Sequence, residues 1–328
     1  MSLYTDRPDQ LYGAPGAWSF SRCESCGLVW LDPRPAGPDL IDLYTTWYHY
    51  THASAKSGAR SGLAGAVARG LQAAAFGYAP PSGRGTQVAG RILARSRSAR
   101  ELLGGSVAWL HGRPGGRLLD VGCGSGEFLA HMRELGWQVA GTEPDPAAAK
   151  VARDAFGLPV WQGDLIGGPH PPDSFDAITM SHVIEHAADP VALLAKCREL
   201  LRPDGELVVV TPNIQSLGRR LLNEGWFLGW SPPWHLFVFS ARTLAASAER
   251  ASLTVDVIRT TARRAVGGWY VNRLLRYQAP IPALANTRRS LSLRLRLGIE
   301  GLAVAVLEQI GVEAGRPWGE ELVMVASK

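Results

Sequence analysis

Residues 113–262 constrain the fold most, because short aliphatic runs alternate there with helix-like segments, and turn or cap residues mark the boundaries. Buried parallel strands read as near-continuous apolar runs, and each crossover between them needs a helix. Strands are predicted at Arg117–Val121, Gln138–Thr142, Pro159–Gln162, Ala177–Met180 and Glu206–Thr211, then at Leu253–Thr260 and Glu321–Ala326. Helices are predicted over Gly126–Leu135, closed by Gly136, over Pro146–Phe156, capped by Asp145, and over Ser240–Ala251. Another starts at Asp189 and Pro190 and ends at the Arg202-Pro203-Asp204-Gly205 turn. The pattern predicts an α/β fold on a mostly parallel sheet.

Composition divides the rest. Residues 1–48 form an N-terminal segment with Cys23 and Cys26 in CESCG, 49–112 a basic helical region, 113–262 the core, 263–319 a basic, mostly helical insertion, and 320–328 a final core strand. With 46% apolar residues in 328, the chain can bury a real core, which excludes disorder as the main state. The net charge of +5 hides an asymmetry: eight basic residues and no acid lie between Lys56 and Arg100, and nine arginines and no acid between Arg259 and Ile299. The remainder is therefore acidic, and the two basic stretches suit an anionic partner such as a phosphate-bearing substrate or an acidic membrane surface. Solvated arginine-rich helices are the plain alternative. Four cysteines at uneven spacing do not make a disulfide framework, so a reducing cytoplasm is expected. The N-terminus lacks the pattern of a secretory signal, and no stretch reaches the roughly 18 apolar residues of a spanning helix.

The chemistry concentrates where strands end. Asp120 closes the first core strand and leads into Gly122-Cys123-Gly124-Ser125-Gly126. Glycines serve where backbone turns tightly and approaches a ligand, and the N–H groups of the next helix favour a polar group. The spacing is G-x-G-x-G rather than the G-x-G-x-x-G of dinucleotide folds, and an acid ahead of it repels pyrophosphate but attracts an ammonium. Glu143, 23 residues later at the end of the second strand, suits both hydroxyls of an unphosphorylated ribose. Asp164 and Leu165, after the third strand, suit an adenine amino group and ring. Cys123 and Ser125 read as small fillers of the loop.

With these residues the chain resembles the class I S-adenosylmethionine-dependent methyltransferases. LLDVGCGSGEFL at 118–129, GTEPDP at 141–146, GDL at 163–165, SFDAITMSHVIEHAADP at 174–190 and LLRPDGELVVVTPN at 200–213 carry the likeness, in the family's order. The resemblance implies a Rossmann-like, doubly wound seven-stranded sheet of order 3-2-1-4-5-7-6 with its last strand antiparallel, flanked by helical attachments. It implies S-adenosylmethionine as cofactor: Asp120, Gly122, Gly124 and Gly126 at its methionine end with Cys123 in the loop, Glu143 and the adjoining Pro144 at the ribose, Asp164 and Leu165 at the adenine. Ser181 and His182 would border the transferring methyl. Among relatives the chain looks like bacterial methyltransferases similar to the ubiquinone-biosynthesis O-methyltransferases, some with an N-terminal zinc knuckle of two CxxC pairs. Here Cys23 and Cys26 are half of such a site, since structural zinc takes four ligands. Either an upstream pair is missing, the metal has been lost, or His49 or His52 substitutes.

Methyl transfer from a sulfonium requires alignment above all, and a hydroxyl acceptor also requires a base. His182 and His235 are the candidates, with cofactor-pocket shaping and backbone bonding as their plain alternatives; Glu185 and His186 read equally as capping groups. Trp226, Phe227, Trp230 and Trp234 suit the wall of an acceptor pocket or a small core under a long connection. The expected activity is methylation, by preference on oxygen, of a small-molecule or lipid-linked glycan acceptor, with peripheral contact to an anionic membrane at its inner face. Nucleic acid is disfavoured as partner, because no aromatic-basic RNA-binding motif appears. RNA or protein methylation, a nicotinamide oxidoreductase and a non-catalytic cofactor-binding protein are the rivals.

Overall fold

The computed structural model describes residues 2–35, 62–277 and 291–328. His49 and His52 lie outside them, so the expectation of a substitute zinc ligand there does too. Eleven strands are described: β1 (Ser2–Arg7), β2 (Trp18–Arg22), β3 (Val29–Leu31), β4 (Arg117–Val121), β5 (Gln138–Glu143), β6 (Val160–Gln162), β7 (Phe175–Ser181), β8 (Leu201–Pro212), β9 (Phe237–Val238), β10 (Thr254–Thr261) and β11 (Glu321–Ser327). Seven form one sheet in the order β6-β5-β4-β7-β8-β11-β10. Its first five strands are parallel, and β11 runs antiparallel to both β8 and β10. Counted along the core, this is the 3-2-1-4-5-7-6 order of a Rossmann-like α/β sheet.

The central strands are buried on both faces. Leu118, Leu119, Ile178, Met180, Leu207 and Val209 have no measurable exposure, as a parallel sheet covered by helices requires. The covering helices begin where side chains replace missing backbone partners. Asp145 accepts from Ala147 N at 2.8 Å ahead of Pro146–Phe156, Asp189 accepts from Val191 N and Ala192 N at 3.0 Å ahead of Pro190–Leu200, and Ser240 forms a capping box with Thr243. The Arg202–Gly205 turn does not separate that helix from the next strand. Phe175 pairs with Leu201 and Ala177 with Glu206, so residues 202–205 bulge from a strand that starts directly at Leu201.

A second sheet, β1-β2-β3-β9, is antiparallel throughout. Three of its strands come from the N-terminal segment, while β9 comes from the core connection after β8: Val29 pairs with Val238 and Trp30 with Phe237. Trp230 has no exposure and packs against Tyr4 and Phe20, at centroid separations of 5.3 and 5.1 Å, while Trp234 Nε1 donates to Asp9 at 3.3 Å. The acceptor-wall reading of the tryptophans is therefore corrected: Trp226, Trp230 and Trp234 are all fully buried, the last two where the N-terminal strands meet the core.

Late in the chain, the alternating leucines around 291–297 belong to a helix, Leu291–Glu313. Leu297, Gly301, Val304 and Glu308 face the protein, whereas Leu295, Ile299, Leu302, Val306 and Ile310 stay exposed. Among the described residues no helix is long and apolar enough to cross a membrane.

Candidate active site

The sheet order reverses between β4 and β7, and the C-terminal strand ends beside such a switch point are where open α/β sheets bind ligands. Asp120 sits there, with Thr179 Oγ1 donating to its Oδ1 at 2.6 Å across the crevice. Burial raises its carboxyl to about 7 against the opposing Thr179 hydrogen bond, and the charge of Glu143 adds to the rise. A group so poised ionises readily when a cation arrives beside it.

Gly122, Gly124 and Gly126 all have left-handed φ (+69°, +55° and +86°). Two have no room for a side chain either: a Cβ on Gly122 would stand 2.6 Å from Val183 Cγ2, and one on Gly126 2.6 Å from Leu158 Cδ1. The loop then feeds the helix Glu127–Glu134. Cys123 packs towards β5, where a Cβ on Gly141 would meet its Sγ at 2.6 Å, and burial holds its thiol protonated. Ser125 Oγ is buried without a hydrogen-bond partner, a polar atom placed for a ligand.

Glu143 joins this loop to the second strand. Its Oε2 accepts from Gly124 N at 2.8 Å and its Oε1 from Asp145 N at 2.9 Å, so the carboxylate is oriented before any ligand binds. Pro144 follows at the surface. Past β6, Asp164 is exposed with its Oδ1 accepting from Gly167 N at 2.7 Å, and Leu165 is buried beside it. Because β6, β5 and β4 are neighbours, these positions lie across three adjacent strand ends. An elongated ligand with a cationic end, an unphosphorylated ribose and an adenine fits that donor and acceptor set.

On the other side of the switch point, Ser181 is exposed at the end of β7 and His182 follows with φ +57°. His182 Nε2 lies 2.7 Å from Glu321 Oε1 and Nδ1 lies 3.2 Å from Glu185 Oε1. Burial opposes its charge, but the hydrogen bonds and charges of the two carboxylates outweigh that and raise the imidazole to about 9. Arg263 and Arg264 also pair with Glu321, at 3.4 and 3.3 Å. His235 is buried, its Nδ1 2.8 Å from Gly229 O; burial, reinforced by His186, pushes it down to about 3, so it is neutral. The structure thus separates the two predicted histidines, one charged and one neutral.

Glu321 is the site residue that the sequence reading missed. An acid at the head of the otherwise apolar ELVMVA strand was the available signal. Cys23 and Cys26 lie in the turn that joins β2 to β3 of the N-terminal sheet. Cys23 N donates to Leu28 O and Gly27 N to Cys23 O, and hydrogen bonds from the Cys26 backbone first, then Ser25, lower the Cys23 thiol to about 6. Among the described residues no third metal-ligating side chain joins this pair.

Residues 94–257, half of the chain, match the methyltransferase-domain family. The ubiquinone biosynthesis O-methyltransferase of Cereibacter sphaeroides is 36% identical over 126 residues, 35% of this chain and 50% of that protein. That of Xanthomonas campestris is 39% identical over 106 residues, 30% of this chain and 44% of the relative. The chain thus spans about half the length of the curated relatives it matches. A solved S-adenosylmethionine-dependent methyltransferase from Archaeoglobus fulgidus overlays 72% of this chain and 93% of its own at 21% identity and a TM-score of 0.44.

Proposed function

Since the chain belongs to the methyltransferase-domain family and takes S-adenosylmethionine as cofactor, we propose that it methylates a hydroxyl group of a small-molecule acceptor. The observation that carries this reading is the Glu143 carboxylate, held by Gly124 N and Asp145 N at the head of the ribose position. The cofactor supplies an electrophilic methyl on a sulfonium. The protein's part is to fix that methyl in line with the acceptor, which can be worth about 7–11 kcal/mol of the barrier. Asp120 is assigned to the cofactor's ammonium, Asp164 and Leu165 to its adenine, and Ser181 and His182 to the border of the reacting methyl. Incubation with labelled cofactor and a panel of phenols, sugars and lipid-linked glycans tests the activity. Transfer to nitrogen acceptors alone, or cofactor binding with no turnover on any acceptor, would overturn it.

Two pH dependences follow. Below about 7 Asp120 takes up a proton and loses its attraction for the ammonium, so cofactor affinity falls by up to about tenfold per pH unit. Calorimetric titration on both sides of neutrality checks this, and Asp120→Asn should flatten the profile. The second concerns the base, a role we assign to His182. At neutral pH it carries its proton, so kcat/KM should rise with pH and level off near 9. A sulfonium bound beside it disfavours the imidazolium, so the ascending limb of kcat should lie at lower pH than that of kcat/KM. Coincident limbs would remove His182 from the methyl's surroundings.

We further assign the acceptor, or its carrier, to an anionic membrane surface. The exposed ridge Leu295, Ile299, Leu302, Val306 and Ile310, with Arg294 and Arg296 near its start, supports this reading. Purified protein should co-sediment with anionic vesicles more than with neutral ones, and Ile299→Asp should reduce that binding. Equal binding to both would refute it.

A further inference from the structure

Glu321, at the head of β11, pairs with Pro212 at the end of β8 and with Thr261 at the end of β10, so it stands on the ligand-binding edge of the sheet. Three cationic groups converge on its two oxygens. His182 Nε2 lies 2.7 Å and Arg264 Nε 3.3 Å from Oε1, and Arg263 Nε lies 3.4 Å from Oε2. The neighbouring Glu320 is engaged by Trp226 Nε1 instead. Burial works against ionisation of Glu321, and His182 first, then Arg263 and last Arg264, hold it down to about 2. With Glu185 on the other nitrogen of His182, two carboxylates serve three cations, and the surplus charge falls on the group held least, Arg264.

The two arginines differ in how they are fixed. Arg263 donates from Nε to Glu321 and from Nη1 to Gly105 O at 3.2 Å, and its guanidinium lies over the Trp109 ring, 5.7 Å from the centroid. Those contacts occupy it in joining the end of β10 to the Gly105 turn. The Arg264 side chain is 59% exposed, and among the described residues its contact with Glu321 is an ion pair without an aligned hydrogen bond. A guanidinium presents five N–H donors in a rigid fork, and in Arg264 that fork is open. There is room near it: a Cβ on Gly267, three residues on, would meet nothing within 4 Å.

We propose that Arg264 binds an oxyanion carried by the acceptor, a carboxylate or a phosphate near the hydroxyl that receives the methyl. The inference rests on the methyltransferase reading above and narrows its acceptor to an acidic hydroxyl compound. Arginine meets either oxyanion through two parallel N–H bonds, which orients the acceptor as well as holding it. Glu321 Oε1 touches both Arg264 and His182, so an anion held by this fork lies one carboxylate away from the histidine assigned as base. A neutral acceptor leaves the fork in water and gains nothing from it. Because Arg264 is more than half exposed, solvent screens the pair, so the preference for an anionic acceptor should be about tenfold and should decline as salt is added.

The test uses the full chain loaded with S-adenosylhomocysteine, which binds without turnover, and arginine side-chain NMR in which Arg264 is assigned by its loss in Arg264→Lys. The probes are inorganic phosphate, 3-hydroxybenzoate and the neutral 3-hydroxybenzamide. At least one of the two anions should shift the Arg264 signals, and the amide should not. The anion that binds should lose about tenfold in affinity in Arg264→Gln and less in Arg264→Lys, which keeps the charge without the fork. A shift with phosphate alone assigns a phosphoryl-bearing acceptor, and one with the benzoate alone a carboxylate. Arg264 signals that neither anion moves in the loaded protein, or anion affinity that survives intact in folded Arg264→Gln, would overturn this proposal alone. Absence of S-adenosylhomocysteine binding would sink the methyltransferase reading and the proposal with it.

Discussion

Glu143→Ala should weaken S-adenosylmethionine binding by about 10²–10⁴-fold in calorimetric titration, the largest effect expected of any single substitution on cofactor affinity. A ribose hydroxyl donating to a carboxylate forms a charge-assisted bond worth about 1.5–3 kcal/mol, and the cofactor offers two. The substitution also removes the acceptor that holds Gly124 N and Asp145 N, so the glycine loop loses its tie to the end of β5. An amide keeps the shape but leaves one acceptor oxygen where the two backbone N–H groups use both, so the loss in Glu143→Gln should fall between wild type and alanine. A wild-type-like affinity in the alanine variant would sink the cofactor site as assigned.

Trp230→Ala should destabilise the protein by about 3–5 kcal/mol in denaturant unfolding, the range for truncating a fully buried aromatic core residue. Its indole meets Tyr4 from β1, Phe20 from β2 and Trp226 from its own connection, and Nε1 donates to Asn223 O at 3.0 Å. Limited proteolysis should then cut the N-terminal strands before the α/β core. A loss below about 1 kcal/mol would mean that the joint repacks and that the two sheets are weakly coupled.

The core was legible because its signals are local. Strand runs, the caps at Asp145 and Asp189, and the glycines of the 122–126 loop each sit within a few residues of what they determine. The place of Glu143 was legible because it closes the strand run before it. The second sheet was not, because β9 is two residues long and pairs with a partner far away in sequence. The partner of His182 hid for the same reason: Glu321 is 139 residues distant, and only the antiparallel return of β11 beside β8 brings it near. Around residues 291–297, alternation of leucine with serine and arginine carries a period of two. The helix formed there buries Leu297 and exposes Leu295, a difference set by which face meets the body of the protein. The tryptophans declared an aromatic cluster, but whether it would wall a pocket or fill a joint depended on β1 and β2.

The borrowed strand bears on the order in which the molecule can be made. At synthesis rates of roughly 5–20 residues per second, the wait between Trp30 and its partner Phe237 is on the order of 10–40 s. For that interval β1, β2 and β3 have no fourth strand to close against, and Phe20 and Leu31 lack the surfaces that later cover them. These three nascent strands are thus a natural client for a chaperone that shields exposed strands. Placing β1 to β3 after β9 in a rearranged chain should shorten that exposure while leaving the finished fold unchanged.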